Sequence, residues 1–201
     1  PGLYSLNYSD NAEKVTIDYL ITQKFDAIIN VVDSTLLARS LELTYEIAEL
    51  GIPMVIALNL IDEARSKGLE IYPEKLSEIF ESEVIPISAL YGRGVKQLID
   101  TTLKISKNKE YKFKAHCFTK HIEENVKIIE NKIDISSFNF NGNKRFYAIK
   151  SIENPELIPK EIIDNLSNEL EIINKDILEN HNTDGFEVFS YERHHFAMST
   201  A

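Results

Sequence analysis

Apolar residues follow two alternating rhythms over the first hundred positions. Short, β-branched runs occur at Ala27-Ile28-Ile29-Asn30-Val31-Val32, from Met54 to Leu58, and at Val84-Ile85-Pro86-Ile87. Such nearly unbroken runs predict strands covered on both faces. The segments between them have helical spacing. Val15, Tyr19 and Leu20 suggest a helix near 11–24, and Leu37, Leu41, Thr44, Ile47 and Ala48 share one helical face. Gly51 falls where a helix end wants a left-handed residue. Val95, Leu98, Ile99 and Thr102 repeat at i, i+3, i+4, i+7. Strands alternating with helices in this way predict a parallel sheet with crossover helices, an α/β fold.

The rhythm changes after the polar run Ser106-Lys107-Asn108-Lys109, which divides the chain into residues 1–106 and 107–201. Five of the seven glycines precede residue 95, so the second part has fewer turns and longer helices. Ile122, Val126, Ile129 and Ile133 form one stripe. Ile162, Ile163, Leu166, Leu170, Ile173 and Ile177 form a longer one, and Arg145 to Ile152 and Val188 to Met198 read as two shorter helices. A small, mostly helical subdomain is expected beside the sheet.

Composition narrows the partners. The 201 residues carry a net charge of −10, which repels phosphate backbones and anionic lipid, so nucleic acid is not an expected partner. The single cysteine, Cys117, cannot pair internally, which suits a reducing compartment. No apolar run approaches the roughly 20 residues that span a bilayer, and no secretory signal is visible. The chain opens at Pro1-Gly2 without an initiator Met. By itself it reads as soluble and cytoplasmic.

In open α/β sheets ligands bind beyond the carboxyl ends of the strands. There lie Asp33-Ser34-Thr35, Asn59-Leu60-Ile61-Asp62 and Ser88-Ala89-Leu90. A carboxylate at Asp62 can accept both the ring N1–H and the exocyclic amine of guanine, a donor pair that adenine lacks. Asn59 can donate to the base and tie its loop to the neighbours. Backbone N–H groups of Ser88, Ala89 and Leu90 can reach the guanine O6. The competing explanation of Asn59 or Asp62 is a helix N-cap. The order of strand, N-x-x-D, helix, strand and Ser-Ala favours the base.

This order resembles the fourth and fifth guanine-nucleotide motifs of small GTPases. The opening Pro1-Gly2-Leu3-Tyr4-Ser5-Leu6 is similar to the end of the third motif in ferrous iron transport protein B GTPases. Asp18-Tyr19-Leu20, Asn30-Val31-Val32-Asp33-Ser34-Thr35, Leu37-x-Arg39-x-Leu41 and Glu49-Leu50-Gly51-Ile52-Pro53 agree with the same family. Arg145-Phe146-x-Ala148-Ile149-Lys150 resembles its helical subdomain, and Tyr191-Glu192-Arg193 loosely its end. The resemblance implies a P-loop-NTPase-like sheet lacking its first strands. It implies GTP or GDP as ligand, with Asn59, Asp62, Ser88, Ala89 and Leu90 at the base and Pro1 and Gly2 in the second switch. It also implies Mg²⁺ in the intact protein, a transmembrane permease as partner, and a place at the cytoplasmic face of the membrane. GTP hydrolysis there would regulate Fe²⁺ uptake.

Several residues depart from a working GTPase. No G-x-x-x-x-G-K-[S/T] occurs, so the phosphate cradle and its lysine are absent from these residues. Leu60 stands where most GTPases carry lysine, and Leu3 where Ras-like enzymes carry a water-positioning glutamine. No catalytic residue is assigned, and the chain is expected to be part of a longer protein. A ribosome-assembly-type GTPase, a nucleotide-free interaction module and a homo-oligomer stay open at this point.

Other residues have simpler explanations. His116, Cys117 and His121 match no four-ligand zinc pattern and mark a helix start, so no metal site is expected. His194 and His195 point about 100° apart on a helix and belong to the surface. Asp33 suits an N-cap, and Arg39 a pair with a carboxylate on its own face. Glu153, Glu156, Glu161 and Glu169 read as one solvated face, and the 162–177 stripe as core.

Overall fold

A computed structural model describes residues 5–6, 11–108, 116–136 and 142–201. In chain order the elements are α1 (Asn11–Thr22), β1 (Ile28–Asp33), α2 (Leu37–Glu49), β2 (Met54–Asn59), α3 (Ile61–Ser66), α4 (Pro73–Phe80), β3 (Glu83–Pro86), α5 (Val95–Ser106), α6 (Lys120–Lys132), α7 (Lys144–Glu153), α8 (Lys160–His181) and α9 (Gly185–Thr200). They separate into two compact units. The sheet unit holds residues 25–116 with the last five residues, and the helical unit holds 117–196 with the described part of 7–24.

In the sheet unit the strands run parallel in the order β1-β2-β3, with Ile28 beside Met54 and Val55 beside Glu83. The five apolar residues of β2, Met54 to Leu58, are fully buried, because it is the central strand and both its faces are covered. Val55, Ala57, Ile85, Ile87, Leu98 and Ile105 form the core beneath α5. On the opposite face α2 packs against β1, where the Asn30 side chain donates to Thr44 Oγ1 at 2.8 Å. That bond satisfies a buried amide within the sheet's layer. Tyr45 of α2 meets Phe80 of α4, ring centroids 4.9 Å apart. Gly51 takes a φ of 70° at the end of α2, as its position suggested.

One expectation fails here. The run 27–32 was expected to be covered on both faces, but β1 alternates. Asn30 and Val32 are buried, while Ile29 and Val31 are 41% and 59% exposed. β1 ends the sheet, and only its α2 side is covered among the described residues. The helix expected near 11–24 is α1, in which Ile17 and Ile21 are buried while Val15 and Tyr19 are exposed. Two apolar pairs four residues apart compete on that helix, and the packing chose one.

The helical unit is built on the α6 stripe Ile122, Val126 and Ile129, with Ile133 just beyond, and on Ile162, Leu166, Leu170, Ile173 and Ile177 of α8, all buried as core. α7 packs between these helices and carries fully buried Phe146, Tyr147 and Ile149. Phe118 meets Phe189 edge-to-face at 4.8 Å. Glu153, expected on a solvated face, is instead fully buried. It accepts from Lys150 Nζ at 2.8 Å and from both terminal nitrogens of Arg193, at 2.6 and 2.9 Å. Burial alone would raise the Glu153 pKa, but the charges of Arg193 and Lys150 outweigh it and hold the carboxyl far below the ordinary range. Charge counting along the helix could not foresee partners three and forty residues away.

Candidate functional site

The parallel sheet brings three connections to one edge, the carboxyl ends of β1, β2 and β3. After β1, Asp33 accepts from the Thr35 backbone N–H at 2.7 Å and from its hydroxyl at 2.8 Å, capping the single turn 34–36. Its carboxylate is thereby occupied by the turn, as an N-cap explanation requires.

After β2 the chain turns sharply. Leu60 adopts φ 60° and ψ 26°, the left-handed region, and α3 begins at the next residue. A non-glycine residue there is strained by about 1–2 kcal/mol. Such strain concentrates where a loop must present particular side chains. Neither Asn59 nor Asp62 caps α3, so the N-cap explanation of these two residues does not hold. Asp62 lies in the first turn of α3, half-buried, and its carboxylate has no hydrogen bond or ion pair among the described residues.

Asn59 has a different task. Its Oδ1 accepts from the Ala89 backbone N–H at 3.1 Å, joining the loop after β2 to the turn after β3. The Asn59 amide nitrogen remains uncommitted among the described residues, so the side chain can brace the turn and still donate outward.

The turn after β3 is closed by a short antiparallel bridge between Ser88 and Arg93, with Ser88 N–H to Arg93 O and Arg93 N–H to Ser88 O, both at 3.1 Å. Ser88 is buried, whereas Leu90 is 84% exposed. Of the three backbone donors expected to face a base, Ser88 N–H is held by Arg93 and Ala89 N–H by Asn59. Leu90 N–H alone is left without a partner among the described residues. Gly94 permits the closure: its φ is 75°, and a Cβ there would meet the Pro86 carbonyl oxygen at 2.4 Å. Arg93 went unremarked in the sequence, although the glycines on either side of it, Gly92 and Gly94, signal a turn. Pro1 and Gly2 lie outside the described residues.

The sheet edge therefore presents an unpaired carboxylate, an anchored amide and one free backbone N–H. A family model described as ferrous iron transport protein B matches residues 1–102, and one described as the FeoB cytosolic helical domain matches 118–201. The chain belongs to the ferrous iron transport protein B family. The Fe(2+) transporter FeoB of Staphylococcus aureus strain COL is 31% identical over 179 residues, 89% of this chain and 27% of that protein. FeoB of Helicobacter pylori strain J99 is 44% identical over 89 residues, 44% of this chain and 14% of that protein. The chain thus spans about a quarter or less of the length of these FeoB relatives.

Among solved structures, an S. thermophilus NFeoB mutant bound to mGDP matches with a TM-score of 0.89 and 32% identity, covering 100% of this chain and 77% of that one. NFeoB from S. thermophilus bound to GDP.AlF4- and K+ matches with a TM-score of 0.82 and 30% identity, covering 100% and 78%. The α/β sheet with its helical unit is the NFeoB fold, and membership in the FeoB family displaces the ribosome-assembly alternative.

Proposed function

We propose that this chain reads the base of a guanine nucleotide within a longer Fe²⁺ transporter, whose iron passage is regulated by GTP binding and hydrolysis. The observation that carries the reading is the Asp62 carboxylate, unpaired beside the braced 88–93 turn. Family membership and the GDP- and GMPPNP-bound NFeoB neighbours support it.

The base chemistry follows from donors and acceptors. Asp62 accepts from the guanine N1–H and exocyclic amine. Adenine offers neither in that arrangement and would leave the carboxylate desolvated and unpaired. Leu90 N–H supplies a donor for O6, and the Asn59 amide can donate to the remaining base acceptors. Asn59 Oδ1 holds the Ala89 end of the turn, so the donor keeps its position before ligand arrives, which lowers the ordering cost of binding.

The phosphates and Mg²⁺ are a different matter. These residues contain no phosphate-cradling glycine-rich loop. No group of three or more His, Cys, Asp or Glu side chains suited to a metal occurs among the described residues. Pro1 and Gly2, assigned to the second switch, lie outside the described residues, and the described residues contribute at the base. None of the described helices is long and apolar enough to cross a membrane. The permease of the same transporter is proposed as the partner that would place this chain at the cytoplasmic face.

Calorimetry with GDP and ADP tests the reading. GDP should bind in preference to ADP, and Asp62→Ala should reduce that preference by about 5- to 150-fold, the value of one bidentate contact. An Asp62→Ala chain that still prefers GDP to the same extent overturns the assignment.

A further inference from the structure

We propose a second ligand site, on the helical unit, where His121 and His181 together take one divalent first-row transition-metal ion. His121 opens α6 and His181 closes α8, and the two side chains meet with His121 Nδ1 2.9 Å from His181 Nε2. Their rings lie nearly parallel, 22° apart, with centroids separated by 5.1 Å. The pair is accessible from solvent, His121 being 34% exposed.

The arrangement behind His121 is that of a metal-ligating imidazole. Its other nitrogen, Nε2, contacts Asp176 Oδ2 at 2.6 Å. That carboxylate is itself fixed: Asn125 donates to Oδ2 at 2.9 Å and Asn180 to Oδ1 at 3.0 Å. An Nε2–H held by an oriented carboxylate selects the tautomer with its lone pair on Nδ1, the nitrogen that faces His181, and makes it a stronger donor to metal. In the metal-free pair, His181 Nε2–H fills that position as a hydrogen-bond donor. Ligation moves the His181 proton to its own Nδ1, so two neutral imidazoles present two lone pairs without net loss of a proton.

The nitrogens face each other nearly in line, as a hydrogen bond requires, so an ion held by both takes the place of the shared proton and turns the two exposed rings until each lone pair faces it. No third His, Cys, Asp or Glu completes a protein shell among the described residues, so water fills the other positions. Imidazole nitrogens suit nickel, copper, iron and zinc in preference to Mg²⁺ or Ca²⁺. The carboxyl end of the 22-residue α8 adds partial negative charge beside the cation.

The test is calorimetric titration of the full chain, free of any affinity tag, with Ni²⁺. One ion per chain is expected. His121→Gln and His181→Gln should each lower the affinity at least tenfold, and Asp176→Asn should lower it by about 10- to 100-fold. The surface pair His194 and His195, both replaced by Gln, should leave it unchanged. Amide signals near residues 118–125 and 178–184 should broaden with Ni²⁺ in the parent and not in His181→Gln. Absence of binding to the parent, or retention of its affinity by either single histidine variant, overturns the proposal.

Discussion

Two carboxylates, Glu153 in the helical unit and Asp62 in the sheet unit, stand in opposite surroundings. The helical unit takes ionised groups into its interior and satisfies them there: Glu153 has Lys150 and Arg193, and Glu123 has Arg145 and the Phe118 backbone N–H. Asp62 is left half-buried at the sheet edge with no hydrogen-bond or ion-pair partner among the described residues. A buried carboxylate with three donors is saturated and can only hold its own helices in register. A carboxylate with none is costly unless something else supplies donors. Interior charge in the first case specifies packing, and edge charge in the second specifies a ligand. Guanidinium stacking extends the contrast, since Arg193 lies 5.8 Å from the rings of both Phe118 and Phe189.

The contrast is most sharply broken by Glu153→Ala. Two buried cations would lose their counter-ion, and a loss of about 3–5 kcal/mol is expected in urea denaturation. Replacing all three residues by apolar side chains of similar volume should recover most of that loss. If it does not, the network contributes more than charge compensation.

Next in size is Gly94→Ala in the sheet unit. A methyl group close against the Pro86 carbonyl, on a left-handed backbone, should cost about 2 kcal/mol in thermal unfolding and loosen the 88–93 turn.

The third prediction concerns acid. The Glu153 pKa is lowered in the folded state, so its stabilisation is fully present above the unfolded glutamate value of about 4.3 and is lost as pH falls below it. Glu123 behaves likewise: burial opposes its ionisation, but the bonds from Arg145 and Phe118 prevail and lower its pKa. Urea midpoints should therefore decline below pH ~4, and Glu153→Gln should flatten that decline. An unchanged slope would mean that other carboxylates set acid stability.

The smallest effect is expected from Asp62→Asn. With no bond to break, stability should change by less than about 0.5 kcal/mol, whereas guanine preference should fall. A large stability loss would show that Asp62 is held by the protein after all.

Much of this was legible from residue order. The β-branched runs marked β1, β2 and β3 to within a residue or so, and the stripes marked α2, α5, α6 and α8, because burial on a repeating backbone imposes a period that survives in one dimension. Asn59, Asp62 and Ser88-Ala89-Leu90 could be singled out because each follows a strand, and parallel strands deliver their carboxyl ends to one side. Between β2 and β3 the order of motifs predicts one helix, whereas the structure has two short ones, the chain breaking at Gly68 and restarting at Pro73.

What residue order determined, then, was the local repertoire: which segments are strands, which are helices, and which polar residues end up beyond the strands. Tertiary structure decided how the polar groups divide their valences. Only in three dimensions does Ala89 N–H go to Asn59 and leave Leu90 N–H open, does Glu153 meet an arginine forty residues away, and does His121 find His181. Periodicity is a property of neighbours along the chain, whereas hydrogen-bond satisfaction depends on distances between atoms that the chain brings together only when it folds.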